Sequence, residues 1–246
     1  MSESKKESLY GKTLPQLQEL CAKESLPRFA AGQIARWLYV NKVDDIEQMP
    51  NISVAARKLL KEKYTLGLDA PLKESVSQDG TKKYLFRTSH GQFIESAYIP
   101  DGDRATLCVS SQAGCRMGCR FCATGRQGLQ HSLSPTEILN QILSIPESKN
   151  LTNLVFMGMG EPLDNTDNVL QTLQIITSPW GMGWSPTRIT LSTAGVARNL
   201  KRFLDESKVH LAISLHNPFH EEREAIMPIE RAYPIRQIAD ILREYD

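Results

Sequence analysis

The sequence is short of the features that mark several protein classes. No apolar run is long enough to cross a bilayer, and the N-terminal MSESKKES is polar with no apolar segment behind it. Neither a membrane-spanning helix nor a secretory leader is expected, and a cytoplasmic location is. An excess of charge is missing too: 29 basic against 28 acidic side chains leave a formal charge of +1, so any attraction for nucleic acid has to come from local patches. Cysteines number five, three of them packed into CRMGCRFC. That distribution speaks against a disulfide scaffold and suits a reducing compartment in which thiolates serve metals or redox chemistry. Internal repeats and low-complexity tracts are absent, which excludes a solenoid. What remains is a globular chain of 246 residues, 41% hydrophobic, long enough for one large domain or a small one joined to a larger.

Apolar periodicity divides the chain. From Leu14 to Tyr64 the spacing is helical, as in Leu17, Leu20 and Cys21, then Ile34, Trp37 and Leu38, then Ala55, Leu59 and Leu60, which predicts a small helical module over residues 1–70. From Leu72 to Ile99, Asp79-Gly80 and His90-Gly91 punctuate short strand-like stretches, and a β-meander is expected over residues 71–100. Pro100-Asp101-Gly102 reads as a break. Over residues 101–246 apolar strands, predicted at Ala105–Ser110, Leu151–Met157, Arg188–Ser192 and Val209–Leu215, alternate with longer helical segments. Ser134-Pro135-Thr136-Glu137 has the capping-box pattern and opens a helix through Ile138, Ile142 and Leu143, while Pro234 opens another carrying Ile235, Ile238 and Leu242. Strand–helix repetition with nearly all-apolar strands predicts an α/β fold whose parallel sheet is covered by helices, open or curled into a barrel. In such folds ligands sit at the carboxyl ends of the strands.

Cys115, Cys119 and Cys122, with Gly114, Gly118 and Gly125 around them, describe a loop wrapped closely about a compact inorganic centre. A cubane holds four irons, so three thiolates leave one iron open for a substrate to chelate. The competing reading is zinc, which needs a fourth ligand that only Cys108, Cys21 or His131 could supply.

With Phe121 before its last cysteine, the CxxxCxxC triplet resembles the signature of the radical S-adenosylmethionine (SAM) superfamily. The surrounding DRATLCVSSQAGCRMGCRFCATG, then VFMGMGEPLDN, ITLSTAG and AISLHNP, closely resemble its RNA adenine methyltransferases. These act on C2 of an adenine in large-subunit ribosomal RNA and, in dual-specificity members, on an adenine beside the tRNA anticodon. The resemblance covers essentially the whole chain. It implies a partial (β/α) barrel core, incomplete at its C-terminus, behind a helical RNA-binding domain and a short antiparallel meander. It also implies a [4Fe-4S] cluster on the three cysteines, SAM as second cofactor, rRNA and tRNA substrates, an electron donor such as a flavodoxin-type reductase system, no membrane association and a monomer.

Residue by residue, the resemblance maps Gly160, Glu161, Ser192, Ser214, Leu215 and His216 onto SAM contacts and lays Phe121 against the adenine of SAM. Without it, Gly158-Met159-Gly160-Glu161-Pro162 is a turn after a strand, and the polar residues at strand ends are helix caps. Cys108 is by default a small buried thiol, and Glu95 a solvent-facing glutamate beside Ile94 on a half-buried strand. The resemblance makes Glu95 the base that removes the adenine C2 proton. It makes Cys108 the thiol that releases product by forming a disulfide with a methyl-carrying cysteine. That methyl is installed from one SAM and activated by a radical generated from a second. No cysteine follows Cys122, so this partner has no counterpart here, and the chain is expected to be an inactive fragment of a longer enzyme.

Alternatives remain at this point: methylation of adenine C8 by a relative with the same motifs, a radical SAM enzyme acting on a protein or small molecule, or a zinc-stabilised RNA-binding module without catalysis. Arg28, Arg36, Lys42, Arg57, Lys58, Lys61 and Lys63 in the helical module, and Arg116, Arg120 and Arg126 near the cysteines, offer a phosphate-binding surface.

Overall fold

The computed structural model describes residues 6–245. β1 (Glu7–Ser8) leads into α1 (Leu14–Lys23), which Thr13 and Gln16 open with a reciprocal capping box. α1 packs on α2 (Ala30–Arg36), and the pair buries Leu17, Leu20, Cys21 and Ile34. A π turn over Trp37–Asn41 and a 3-10 turn over Ile46–Gln48 follow, then α3 (Val54–Lys63), capped by Ser53. α3 buries Ala56 and Leu60, while Ala55 is exposed and Leu59 half-buried, so its inward stripe is rotated from the one the sequence suggested. β2 (Tyr64–Thr65) returns parallel to β1 and closes the unit.

β3 (Lys73–Val76), β4 (Lys82–Arg87) and β5 (Phe93–Asp101) form the antiparallel meander. Pro100 and Asp101 do not interrupt the chain: they end β5, which turns directly into β6 (Arg104–Cys108), its antiparallel neighbour. A small hairpin of β7 (Gln112–Ala113) and β8 (His131–Ser132) then brackets the cysteine loop and its single helical turn α4 (Ala123–Arg126). α5 (Pro135–Leu143) starts at the expected capping box. β9 (Asn153–Phe156), α6 (Thr166–Thr177), β10 (Ile189–Thr193), α7 (Ala197–Glu206) and β11 (His210–Ile213) continue the strand–helix alternation, ahead of α8 (His220–Ile226) and α9 (Ile235–Arg243).

One seven-stranded sheet results, in the order β11-β10-β9-β6-β5-β4-β3, with β6, β9, β10 and β11 mutually parallel. This parallel arc with its helices is the partial (β/α) barrel, and the meander extends the same sheet. Its strands alternate where unbroken apolar runs were expected. Leu107, Leu154, Phe156, Ile189 and Leu191 join the core with Ile138 and Ile142 of α5, Val169 and Leu173 of α6 and Leu200 of α7. Thr106, Cys108, Val155, Thr190 and Ser192, on the opposite face, are only half-buried. One face is therefore packed and the other left open for chemistry.

The helical unit is fastened to the core by directed bonds. Thr136 Oγ1 donates to the Tyr10 carbonyl at 2.7 Å, Gln171 Nε2 to the Gly11 carbonyl at 2.7 Å, and the Asp69 amide to Asn140 Oδ1 at 2.8 Å. Tyr39 meets Trp180 edge-on with ring centroids 6.1 Å apart. No helix among the described residues is long and apolar enough to cross a membrane.

Candidate functional site

The strand register decides which side chains share the open face. Cys108 stands opposite Ala97 on β5 and Val155 on β9, Thr190 on β10 stands opposite Val155, and Ser192 stands opposite Ala212 on β11. Opposed residues share a face, and so do residues two apart along a strand. Glu95, Cys108, Ser192 and Ser214 therefore all lie on one side of the sheet, and the hydroxyls of Ser192 and Ser214 are 3.4 Å apart. Glu95 is 54% exposed at its side chain and 3.7 Å from Lys83 Nζ, while its neighbour Ile94 is buried, as the alternation predicts. Cys108 is half-buried, and burial pushes its thiol pKa up.

At the carboxyl end of β6 the chain enters β7 and then the cysteine loop. The Cys115 amide donates to the Gly128 carbonyl at 3.1 Å, closing the loop at its neck. Gly114 has φ +74°, and a Cβ there would fall 1.8 Å from the Gly128 oxygen, so only glycine lets the two arms approach this closely. The Arg120 amide donates to the Ile226 carbonyl at 2.9 Å, fastening the loop to the end of α8. Cys115 is buried and Cys119 and Cys122 half-buried, and none of the three is in a disulfide.

Burial lifts the Cys115 thiol to about 12 and raises Cys119 as well, with neighbouring acidic groups adding to the shift. Such thiols become good thiolate ligands only where cationic metal balances them. A single zinc would need its sulfurs within about 4 Å of one another, given Zn–S bonds near 2.3 Å. Among the described residues the set of three donors within 4.8 Å of one another is His90, His131 and Glu137, not the cysteine triplet. The three sulfurs are not all within that reach of one another, which suits a cubane, where each thiolate binds a different iron. Cys21 lies in the helical unit and His131 Nε2 is turned to Glu137, 3.1 Å away, so neither completes a zinc tetrahedron with the triplet.

The Gly158–Pro162 loop leaves the end of β9 beside this neck. Gly160 has φ +98°, and a Cβ on it would meet the Gln112 Cβ at 2.5 Å. The Glu161 carboxylate is 3% exposed and accepts from Thr193 Oγ1 at 2.6 Å, the Ala194 amide at 2.7 Å and the Leu163 amide at 2.9 Å. Burial raises its pKa despite these bonds. A carboxylate so placed would be favoured as the anion by a nearby cation.

His216, just beyond β11, adopts φ +55°, uncommon for a side-chain-bearing residue, and its ring lies 4.5 Å from that of Phe121 on the cysteine loop. That contact spans the mouth between the loop and the far strand. Phe121 and Leu215 remain exposed there, at 53% and 45%.

Several residues that position this site carried no sequence signal. Ser110 Oγ donates to the Glu95 carbonyl at 2.6 Å and accepts the Met159 amide at 2.9 Å, linking the glutamate strand to the glycine loop. Gln112 Oε1 accepts the Glu161 amide at 2.9 Å, while its Nε2 donates to Asp164 at 3.0 Å. Arg223, wholly buried, pairs with Glu230 and donates to the carbonyls of Ala194, Ser214 and Leu215 at 2.8 to 3.0 Å. It thereby ties the ends of β10 and β11 together from beneath. A cavity of about 810 Å³ elsewhere, at the seam of the helical unit with β4 and α5, is lined by none of the rim residues.

Of the basic side chains expected to face RNA, Arg57 donates to the Met49 and Ile52 carbonyls and Lys42 to the Ser148 carbonyl. Lys61 pairs with Asp45 and Lys63 with Glu24. Arg28, Arg36 and Lys58 are exposed on the helical unit, as are Arg120 and Arg126 on the cysteine loop. Arg116 is exposed as well but pairs with Asp164 at 2.8 Å.

Residues 109–246 match the radical SAM superfamily and residues 8–66 the ribosomal RNA large subunit methyltransferase N-terminal domain. A probable dual-specificity RNA methyltransferase RlmN from Phocaeicola vulgatus is 55% identical over 99% of this chain and 70% of its own length. The dual-specificity RNA methyltransferase RlmN of Syntrophotalea carbinolica is 43% identical over 95% of this chain and 63% of its own. The crystal structure of a radical SAM methyltransferase from Sphaerobacter thermophilus superimposes with a TM-score of 0.89 at 37% identity, covering 97% of this chain and 72% of that one.

Proposed function

Since the chain belongs to the radical SAM superfamily and, within it, to the RlmN family of dual-specificity RNA methyltransferases, we propose that its open sheet face is the methylation site for C2 of adenine in rRNA and tRNA. The observation that carries this reading is one of register: Glu95, Cys108, Ser192 and Ser214 share one face of the sheet. The family's cofactors are a [4Fe-4S] cluster and SAM, whose reductive cleavage supplies the radical that displacement chemistry at an electron-poor adenine carbon lacks.

The chain's own residues then have distinct tasks. Cys115, Cys119 and Cys122 hold the cluster. Glu161, Gly160, Ser192, Ser214, Leu215 and His216 hold SAM, with Phe121 against its adenine. Glu95, exposed at the face 3.7 Å from Lys83 Nζ, takes the C2 proton. Cys108, half-buried on the same face, would attack the sulfur of the methyl-carrying cysteine, which this chain does not include, so that the S–S bond forms as the S–C bond to the product breaks. In this reading residues 1–70 form an accessory unit that presents Arg28, Arg36 and Lys58 to RNA, residues 71–100 carry Glu95, and residues 101–246 are the catalytic core. The enzyme works in the cytoplasm as a monomer and receives electrons from a flavodoxin-type donor.

Two measurements test this proposal. Protein purified without oxygen should be brown, with iron and sulfide in near-equal amounts, and each of Cys115→Ala, Cys119→Ala and Cys122→Ala should lose the colour. Mass spectrometry of RNA treated with the full-length enzyme should find 2-methyladenosine. An 8-methyl product, or colourless protein carrying zinc on sulfur, would reject the reading.

A further inference from the structure

His90, His131 and Glu137 come from three separate elements: the turn between β4 and β5, strand β8, and the first turn of α5. One nitrogen of each imidazole and a carboxylate oxygen all lie within 4.8 Å of one another. The two rings are 4.2 Å apart between centroids. Glu137 has a structural reason to be there, since it completes the capping box with Ser134 and accepts the Ser89 amide at 2.8 Å. Nothing in helix capping requires two imidazoles to converge on its carboxylate.

We propose that these three side chains form a binding site for a borderline divalent transition metal, zinc foremost, with water completing the coordination. The chemistry of the donors is right: two imidazoles and one carboxylate with an open position is a common zinc set. So is the spacing. Two ligands on a tetrahedral zinc with bonds near 2.0–2.1 Å stand about 3.3 Å apart. His131 Nε2 and Glu137 Oε2 are already 3.1 Å apart, and His90, exposed on its turn, brings a ring nitrogen within 4.8 Å of a donor atom of each.

An outer shell is present as well. The amides of Ser89 and Ser134 hold the two carboxylate oxygens, and the Ser89 hydroxyl lies 3.0 Å from His90 Nδ1. On binding, the metal replaces the proton between His131 and Glu137. That proton leaves to solvent if the imidazole was charged, or resides on Nδ1 if it was neutral, and the Nε2 lone pair becomes the bond to the metal. No redox change is involved.

The location gives the site a consequence that is independent of the methyl-transfer proposal. His131 pairs with Ala113 across the stem of the hairpin that bears the cysteine loop. A metal here clips that stem to α5 and to the turn leading into the Glu95 strand. It differs from the cysteine site in using only nitrogen and oxygen donors.

The test uses cluster-loaded protein, in which Cys115, Cys119 and Cys122 are already occupied, freed of loosely bound metal with a chelator and titrated with zinc chloride by calorimetry. One zinc per chain is expected, with X-ray absorption showing nitrogen and oxygen neighbours at about 2.0–2.1 Å and no sulfur near 2.3 Å. Zinc should also raise the melting temperature. His90→Ala, on an exposed turn where folding is not at risk, should weaken binding by at least about tenfold and abolish that rise, and His131→Asn should do the same. Sulfur in the zinc shell, undiminished binding in both variants, or no binding in the micromolar range would each overturn the assignment.

Discussion

Replacing Arg223 by methionine tests how the rim of the site is held. The guanidinium is wholly buried, forms an ion pair with Glu230, and donates to the carbonyls of Ala194, Ser214 and Leu215. Methionine fills similar space but removes the guanidinium from Glu230, leaving it only His220 and the Ile235 amide, and leaves three carbonyls short of a donor. Truncating one partner of a buried pair costs about 3–5 kcal/mol, because the other charge stays desolvated and uncompensated. Against a total stability of about 5–15 kcal/mol, that is a large fraction.

Equilibrium urea unfolding reads the loss directly. With a slope near 3 kcal/mol/M, the midpoint should fall by about 1 M or more. Arg202→Met is the control: that arginine also pairs with two carboxylates, Asp167 and Glu206, but at the exposed surface, where the cost should stay below about 1 kcal/mol. Arg223→Lys, which keeps the charge but not the planar fork, should fall between. SAM affinity should drop in the same order among the Arg223 variants, since Ser214 and Leu215 are released from beneath. Equal midpoint shifts for Arg223→Met and Arg202→Met would refute the argument.

Gly160→Ala should cost at least about 1–3 kcal/mol and impair SAM binding, because φ +98° is a region alanine avoids and its methyl would strike Gln112; wild-type affinity by calorimetry would contradict this. For the Glu147 carboxyl, burial acts upward, but bonds from Lys82 and Tyr84 outweigh it and hold the pKa below the ordinary value. Its contribution should therefore be full above the unfolded carboxylate pKa and fade as pH falls through the depressed folded value, so Glu147→Gln should flatten the acid side of the stability curve. In the full-length enzyme, Glu95→Gln should leave cluster content and SAM cleavage intact while a covalent RNA–protein adduct accumulates, visible as a slow band on a denaturing gel. Normal turnover would return Glu95 to the role of a surface strand residue.

Local pattern carried a good deal of this structure. The capping box at Ser134, the proline at the head of α9, and four core strands placed within a few residues of their true ends all follow from neighbours in sequence. Hairpin signals at Asp79-Gly80 and His90-Gly91 were equally local. Pro100-Asp101-Gly102 misled because the same residue types that separate domains also make a tight turn between paired strands, and only the pairing of β5 with β6 tells the two apart. The basic residues of the helical unit were similarly ambiguous: Arg57 reads as a surface cation and spends its guanidinium on two backbone carbonyls.

By itself, then, the sequence determined the chemistry: three thiols in one short loop, glycines where backbone must pass close, and a glutamate and a thiol each on a strand-like stretch. Chain order states which groups exist and which are local neighbours. Tertiary structure decided which of them meet, because a register shift of one residue turns every side chain of a strand to the other face, and register is set by pairing between strands far apart in the chain. Glu95, Cys108, Ser192 and Ser214 share a face for that reason. For the same reason Arg223, in the polar-looking segment His220–Ile226, is buried beneath the rim, since its partners at Ala194 and Glu230 are brought to it only by the fold.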